Sequence, residues 1–93
     1  LKCIGDMYAI LVYDVGEKRV GKMLKLCRKY LSWVQNSVFE GEITEVKLKE
    51  MLSLAAKFMN KEEDSIILFK SPTQVFMSKE VIGKERCSTD NFL

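Results

Sequence analysis

A short apolar run that ends beside a carboxylate is the feature that most limits how this chain can fold. Residues 8–12 are a continuous apolar stretch rich in strand-forming residues, and Asp14 lies two residues beyond them. A run this short and this apolar is typical of a strand buried on both faces. A carboxylate at the end of such a strand lies at the edge of the sheet, where open sheets tend to bind ligands. Asp14 is therefore the first candidate for a catalytic or metal-binding residue.

Two helical patterns alternate with short extended segments along the rest of the chain. Apolar residues recur at helical spacing over residues 17–31, and again over residues 44–60, where Thr44 suits the N-cap. Residues 33–43 are predicted to be extended, with a break at Asn36 and Ser37 or at Gly41. Residues 65–69 are predicted to form another buried strand, and the shorter segments 74–77 and 80–82 are also predicted to be extended.

This order of elements predicts an α+β sandwich in which both helices cover one face of a single sheet. The expected fold is the ferredoxin-like βαββαβ sandwich with an extra C-terminal strand. Residues 1–6 are set apart as an upstream extension or a cloning remnant, residues 7–83 as the domain, and residues 84–93 as a tail. Because 93 residues supply one modest core and the second sheet face would stay bare, either the tail or a second copy of the chain should cover that face, and a homodimer is the economical expectation.

The composition excludes several classes of catalytic site. The chain has no histidine, which rules out Ser-His and Cys-His triads, histidine-ligated zinc and the usual general base near neutral pH. Three cysteines without a Cys-x-x-Cys pair support neither a disulfide framework nor a zinc knuckle. No apolar run nears the roughly 20 residues that span a bilayer, and no signal peptide is evident. A cytoplasmic protein with no membrane partner is expected.

Four lysines fall on one side of the first predicted helix, opposite its apolar face. This lysine row consists of Lys18, Lys22, Lys25 and Lys29. At 100° per residue its members lie within about 60° of one another, and Arg19 and Arg28 flank them. A row without interleaved acids can follow the phosphates of a nucleic acid, since such contacts do not depend on base sequence. The residues alone favour the simpler alternative, a solvated helix face that happens to be basic.

The residues leave two roles open for Asp14. An aspartate at a strand end often caps the following loop or helix through its side chain. Alternatively, one carboxylate from each of two protomers could hold Mg²⁺ if Asp14 lies near a twofold axis. Ser37 and Phe39 are predicted to share one face of the middle strand, where Phe39 is either a core residue or a platform for a base.

Four segments of the chain together resemble the pattern of a known family. They are Tyr13-Asp14-Val15, Arg19, Gln35-Asn36-Ser37-Val38-Phe39-Glu40 and Asp64-Ser65-Ile66-Ile67. Over residues 7–83 the chain resembles the small CRISPR-associated adaptation endonuclease, the smaller of the two proteins that acquire new spacers. The motif residues Gln35, Ser37 and Phe39, combined with the strand that ends in Asp14, form the specific part of the resemblance.

The resemblance implies a ferredoxin-like homodimer whose C-terminal strand crosses to the partner subunit. It also implies that Asp14 of both protomers binds one shared Mg²⁺ ion per dimer, for hydrolysis of single-stranded RNA or double-stranded DNA. A complex with the larger adaptation integrase is implied as well, in which the dimer bridges two integrase dimers and supports the incoming DNA. The chain departs from the commonest pattern just after Asp14, where many members carry a second acid and Val15 and Gly16 stand here.

Three functions follow as hypotheses. The first is a metal-dependent endonuclease of RNA or DNA that acts in antiviral defence. The second is a non-catalytic architectural subunit that binds duplex backbone through the lysine row and Arg19. The third is a ferredoxin-like module that binds a small ligand at a dimer interface, and the absence of a glycine-rich phosphate loop from the sequence argues against it.

Overall fold

The computed structural model of the protein describes residues 6–72, 80, 82 and 83. Its strands are β1 (Asp6–Asp14), β2 (Ser32–Gln35), β3 (Val38–Thr44) and β4 (Ser65–Ser71), and its helices are α1 (Glu17–Arg28) and α2 (Glu45–Ala56). The predicted segment 74–77 lies outside the described residues. Of the segment 80–82, residues 80 and 82 are described, and neither belongs to a strand.

The four strands form one antiparallel sheet in the order β2-β3-β1-β4. The central strand β1 pairs with both β3 and β4. In the pairing with β3, Asp6 lies opposite Thr44, and in the pairing with β4, Asp14 lies opposite Ser65. Because β1 has a hydrogen-bonded neighbour on each side, its middle is the most enclosed part of the sheet, and its uninterrupted apolar sequence suits that place. This connectivity is the predicted ferredoxin-like fold.

A single hydrophobic core lies between the two helices and one face of the sheet. Side chains alternate along a strand, so every second residue of β1, from Ala9 through Leu11 to Tyr13, enters the core. The helices contribute Met23, Leu26, Cys27, Leu48, Met51 and Ala55. Phe39 of β3 is fully buried, and its ring stacks on that of Tyr13 with centroids 6.1 Å apart. Burial of a side chain as large as Phe39 contributes roughly 1.5–3 kcal/mol.

Both helices end before the apolar spacing does. α1 ends at Arg28, yet Leu31 in the following turn is still buried. α2 ends at Ala56, and Phe58 and Met59 beyond it still pack against the core. The apolar pattern therefore overestimates both helices, because residues in the exit turns fill the same core as the helix faces.

The turn and cap residues confirm part of the predicted boundaries. Thr44 caps α2, since its hydroxyl accepts a hydrogen bond from the Lys47 N–H at 3.2 Å. The break between β2 and β3 falls at Asn36, whose φ of 46° is left-handed, whereas Gly41 stays inside β3. β1 begins at Asp6, so the strand includes one residue of the segment 1–6 that is predicted to lie outside the domain.

The second face of the sheet is open within the described residues. Because side chains alternate along each strand, this face carries a group of apolar residues. We call this group the open-face patch; it consists of Ile10, Val12, Val38, Ile67 and Phe69. The side chains of Ile67 and Phe69 are 54% and 55% exposed. The bare face predicted from the sequence is therefore present, and the homodimer expected to cover it stays a prediction.

Both helices have 12 residues. In the part of the chain that the structure describes, neither is long and apolar enough to span a bilayer.

Candidate functional site

Asp14 lies at the end of β1 with an exposed side chain. It is two residues beyond Val12, so its carboxylate projects from the edge of the open-face patch. Among residues 6–72 this carboxylate makes no hydrogen bond and no ion pair. The N-cap of α1 is Gly16, and no side chain caps that helix. Asp14 therefore does not cap α1, and its ligand-binding role stays a prediction.

A second aspartate, Asp64, holds the loop that follows Asp14. Its side chain is fully buried. Oδ1 accepts the N–H of Gly16 and Oδ2 accepts the N–H of Asn60, both at 2.8 Å. Arg19 donates from Nε to Oδ2 at 2.5 Å and from Nη2 to Oδ1 at 3.0 Å. We call Asp64 and these three partners the Asp64 clamp; it joins the loop after β1, the first turns of α1 and the loop before β4.

These contacts hold the pKa of the Asp64 carboxyl well below its usual range. The hydrogen bond from Arg19 is the largest cause, and the N–H groups of Asn60 and Gly16 act in the same direction, against the opposing effect of burial. The hydrogen bond to Asp64 in turn raises the pKa of the Arg19 guanidinium. Both members of the pair are therefore charged throughout the physiological pH range.

Asp64→Asn is expected to lower the Tm at pH 7 by roughly 5–15 °C. Since the pKa of Asp64 is lower in the folded than in the unfolded chain, its stabilising effect is complete above about pH 4 and is lost as the pH falls through the folded-state value. The difference in Tm between the wild type and the variant should therefore become smaller below about pH 4. Circular dichroism melts of both proteins from pH 7 to pH 2 measure this, and a deficit that stays constant down to pH 2 would contradict it.

Gly16 lies close to the guanidinium of Arg19. A Cβ atom at position 16 would lie 2.6 Å from Nη2 of Arg19. Real Cβ atoms do not approach another heavy atom that closely, so any larger residue would displace the guanidinium.

The structure separates Arg19 from the lysine row. All four lysines of the row are exposed, as predicted, and Nζ of Lys22 lies 5.8 Å from the centroid of the Phe58 ring. Arg19 points instead into the clamp, and its Nη2 also donates to Glu63 at 3.1 Å. Its guanidinium binds two carboxylates of the same chain, so it is not a free cation of the row, and its expected place among the nucleic-acid-binding residues stays a prediction.

The motif residues Gln35, Ser37 and Phe39 lie in and beside the turn that joins β2 to β3, and only Phe39 is buried. Gln35 ends β2 opposite Val38. Ser37 lies in the turn before β3, not in a strand beside Phe39 as predicted, and its carbonyl accepts the N–H of Tyr13 at 3.2 Å. Phe39 is core, which excludes it as a platform for a base. Through Tyr13 the motif fixes the end of the strand that carries Asp14.

The thiol of Cys27 is not a candidate nucleophile. It lies on the buried face of α1, and burial raises its pKa to about 11. A thiol with so high a pKa is protonated near neutral pH, and only the thiolate is nucleophilic.

Asp14 does not belong to a cluster of metal-binding residues in the described part of its own chain. Over those residues there is no group of three or more His, Cys, Asp or Glu side chains that could hold a metal ion. A metal ion at Asp14 would take its other ligands from water or from a second copy of the chain. An exposed carboxylate of this kind suits Mg²⁺, which prefers oxygen ligands and keeps several of its waters.

Comparison with known proteins gives the family. The sequence model of the family described as CRISPR associated protein Cas2 matches residues 7–78. The protein named CRISPR-associated endoribonuclease Cas2 in Fusobacterium nucleatum is 41% identical over 98 residues, covering 99% of this chain and 92% of that relative. Its namesake in Thermotoga maritima is 42% identical over 87 residues, covering 94% of this chain and 99% of that relative. A solved structure described as the crystal structure of cas2 has a TM-score of 0.78 at 40% identity, covering 89% of this chain and 93% of that one. The chain therefore belongs to the CRISPR-associated Cas2 family.

Proposed function

We propose that this protein is a metal-dependent endonuclease in which Asp14 of two protomers holds one Mg²⁺ ion. The observation that carries the proposal is the Asp14 carboxylate, exposed and without a partner among residues 6–72, at the edge of the open-face patch. The relatives from Fusobacterium nucleatum and Thermotoga maritima are named endoribonucleases, which supports RNA as the substrate class.

A homodimer packed through the open-face patch supplies the second carboxylate. Ile67 and Phe69 are half exposed in one chain, and burying each would contribute roughly 1.5–3 kcal/mol to association. Asp14 projects from the same face, so a twofold axis near the end of β1 brings two Asp14 carboxylates within reach of one ion. The absence of a third ligand from the described residues is then no obstacle, since water completes the coordination of Mg²⁺.

The chain's own groups have separate tasks in this proposal. A bound Mg²⁺ ion stabilises negative charge on the phosphoryl oxygens and makes a water molecule a better nucleophile. Asp14 holds that ion, and the Asp64 clamp fixes the loop behind Asp14. The exposed lysine row contacts backbone phosphates and keeps the nucleic acid on the protein.

Hydrolysis by the wild-type protein tests the proposal. A labelled single-stranded RNA and a duplex DNA of the same sequence are incubated with the purified protein in Mg²⁺ and, separately, in EDTA. We expect cleavage of the RNA in Mg²⁺ only. If neither substrate is cleaved in Mg²⁺, or if cleavage is equal in EDTA, a metal-dependent nuclease is contradicted; cleavage of the DNA alone would contradict RNA as the substrate.

The exposed lysine row favours a second candidate function, an architectural subunit that binds duplex DNA without cutting it. In this role the dimer bridges dimers of the larger adaptation integrase, and the row contacts the DNA backbone. The test is co-purification of the untagged integrase with the tagged protein, compared between wild type and Asp14→Asn. Equal recovery supports a bridging role that is independent of hydrolysis, and no recovery of the integrase with either protein contradicts it.

The salt dependence of binding measures the contribution of the lysine row. Each lysine–phosphate contact contributes roughly 0.9 to the slope of log K against log salt for duplex DNA, so changing all four lysines to Gln should reduce the slope by up to about 3.6. The matched control changes four other exposed lysines, Lys47, Lys49, Lys57 and Lys61, to Gln. Equal slopes for the two quadruple variants would show that the row is only a solvated face.

A further inference from the structure

We propose that Asp64 is a positioning residue for Asp14: through the Asp64 clamp it fixes the backbone position from which the Asp14 carboxylate meets the metal ion. This inference rests on the proposed function. It gives a role in catalysis to a buried residue that never touches the ion or the nucleic acid.

Asp64 holds the backbone of Asp14 from both sides. On one side Asp64 directly precedes Ser65, the residue opposite Asp14 in the pairing of β1 with β4. On the other side the Asp64 carboxylate accepts the N–H of Gly16, two residues beyond Asp14. Only Val15 and Gly16 separate β1 from α1, so a fixed Gly16 leaves the Asp14 backbone little freedom.

The clamp is rigid because each carboxylate oxygen of Asp64 accepts two hydrogen bonds. Each oxygen accepts one backbone N–H and one N–H of the Arg19 guanidinium. A bidentate contact between a guanidinium and a carboxylate restrains both planes, and burial excludes the water that would compete for these bonds. Gly16 completes the fit, since a side chain there would collide with Nη2 of Arg19.

Such restraint matters more for Asp14 than for a ligand in a crowded metal site. No group of three or more His, Cys, Asp or Glu side chains that could hold a metal ion occurs in the described part of the chain, so in the proposed site the placement of one carboxylate per protomer decides how well the ion is held. Residues that orient a metal ligand without touching the ion typically change metal affinity by about 10- to 100-fold.

Asp64→Asn tests the inference, with direct binding of Mn²⁺ as the readout. Mn²⁺ replaces Mg²⁺ because its paramagnetism reports binding without any substrate. The asparagine side chain has one accepting oxygen where the clamp needs two, so its NH₂ group would face other donors. We expect Mn²⁺ binding to weaken about 10- to 100-fold, RNA binding in EDTA to stay unchanged, and hydrolysis to recover as Mg²⁺ is raised.

Glu63→Gln is the matched control. It removes the neighbouring exposed carboxylate that binds the same guanidinium, but it leaves the bonds to Gly16 and Asn60 in place. Its Mn²⁺ affinity should equal that of the wild type. If Asp64→Asn does not fold, Arg19→Lys replaces it, because lysine keeps the charge but loses the bidentate contact. The expected effect of Arg19→Lys is a weakening of Mn²⁺ binding by about tenfold.

The outcomes separate this inference from the function on which it rests. Wild-type Mn²⁺ affinity in Asp64→Asn or in Arg19→Lys, with a lowered Tm and with binding lost in Asp14→Asn, would show that Asp64 is structural only. An Mn²⁺ affinity that is unchanged in Asp14→Asn would overturn the proposed function, and the positioning role with it.

Discussion

Asp14→Asn is expected to lower the rate of RNA hydrolysis at least roughly a hundredfold and to leave the fold and the dimer intact. Asparagine keeps the size of the side chain but removes the negative charge that holds a hard cation. The Asp14 carboxylate has no partner among residues 6–72, so its loss should shift the Tm by no more than about 2 °C. Single-turnover cleavage assays on wild type and variant, purified in parallel, measure the effect.

The matched control for this substitution is Glu17→Gln. Glu17 is the nearest acid along the chain beyond Asp14 and is also exposed, but it lies in the first turn of α1 rather than on the open sheet face. Its variant should cleave RNA at the wild-type rate. Undiminished cleavage by Asp14→Asn would place the chemistry at another site or in a contaminant, and a variant that fails to fold would identify Asp14 as a structural residue.

Replacing both Ile67 and Phe69 by Asp is expected to convert the dimer into monomers and to abolish hydrolysis with it. The change removes roughly 1.5–3 kcal/mol of apolar burial per side chain and forces two charges into the interface, so the dissociation constant should rise at least about a hundredfold. Hydrolysis should be lost for a separate reason, since in the proposed site each protomer supplies only one of the two carboxylates.

Light scattering at micromolar concentration measures the dimer, and Val46→Asp provides the matched control. Val46 is an apolar residue of α2 that is 74% exposed, and it lies on the helix side of the sheet. The control should stay dimeric and active. A wild-type protein of monomeric mass, or a double variant that remains dimeric, would contradict association through the open-face patch.

The sequence predicts the parts of this fold that depend on local periodicity. β1 and the exposed lysine row follow from the apolar run and from helical spacing, and Thr44 follows from its place before an amphipathic segment. The same reasoning overestimates the helices, because Leu31 and Phe58 reach the core from turns. Periodicity identifies which residues are buried more reliably than where a helix stops.

The Asp64 clamp could not be predicted in this way. Arg19 and Asp64 are 45 positions apart, and no spacing rule joins the start of α1 to the loop before β4. Arg19 lies beside the lysine row on the helix, so its charge alone suggests phosphate binding. Only the tertiary fold shows that a buried carboxylate engages it. Two local signals were present in the sequence, a glycine at the entry of α1 and an acid directly before β4.

The number of Mn²⁺ ions bound per chain tests the central claim most directly. Titration of the wild-type dimer, followed by electron paramagnetic resonance of the free ion, should give one ion for every two chains. The same titration of Asp14→Asn, checked to be dimeric by light scattering, should give no bound ion. One ion per chain, or an ion retained by Asp14→Asn, would contradict a metal site that two Asp14 carboxylates share.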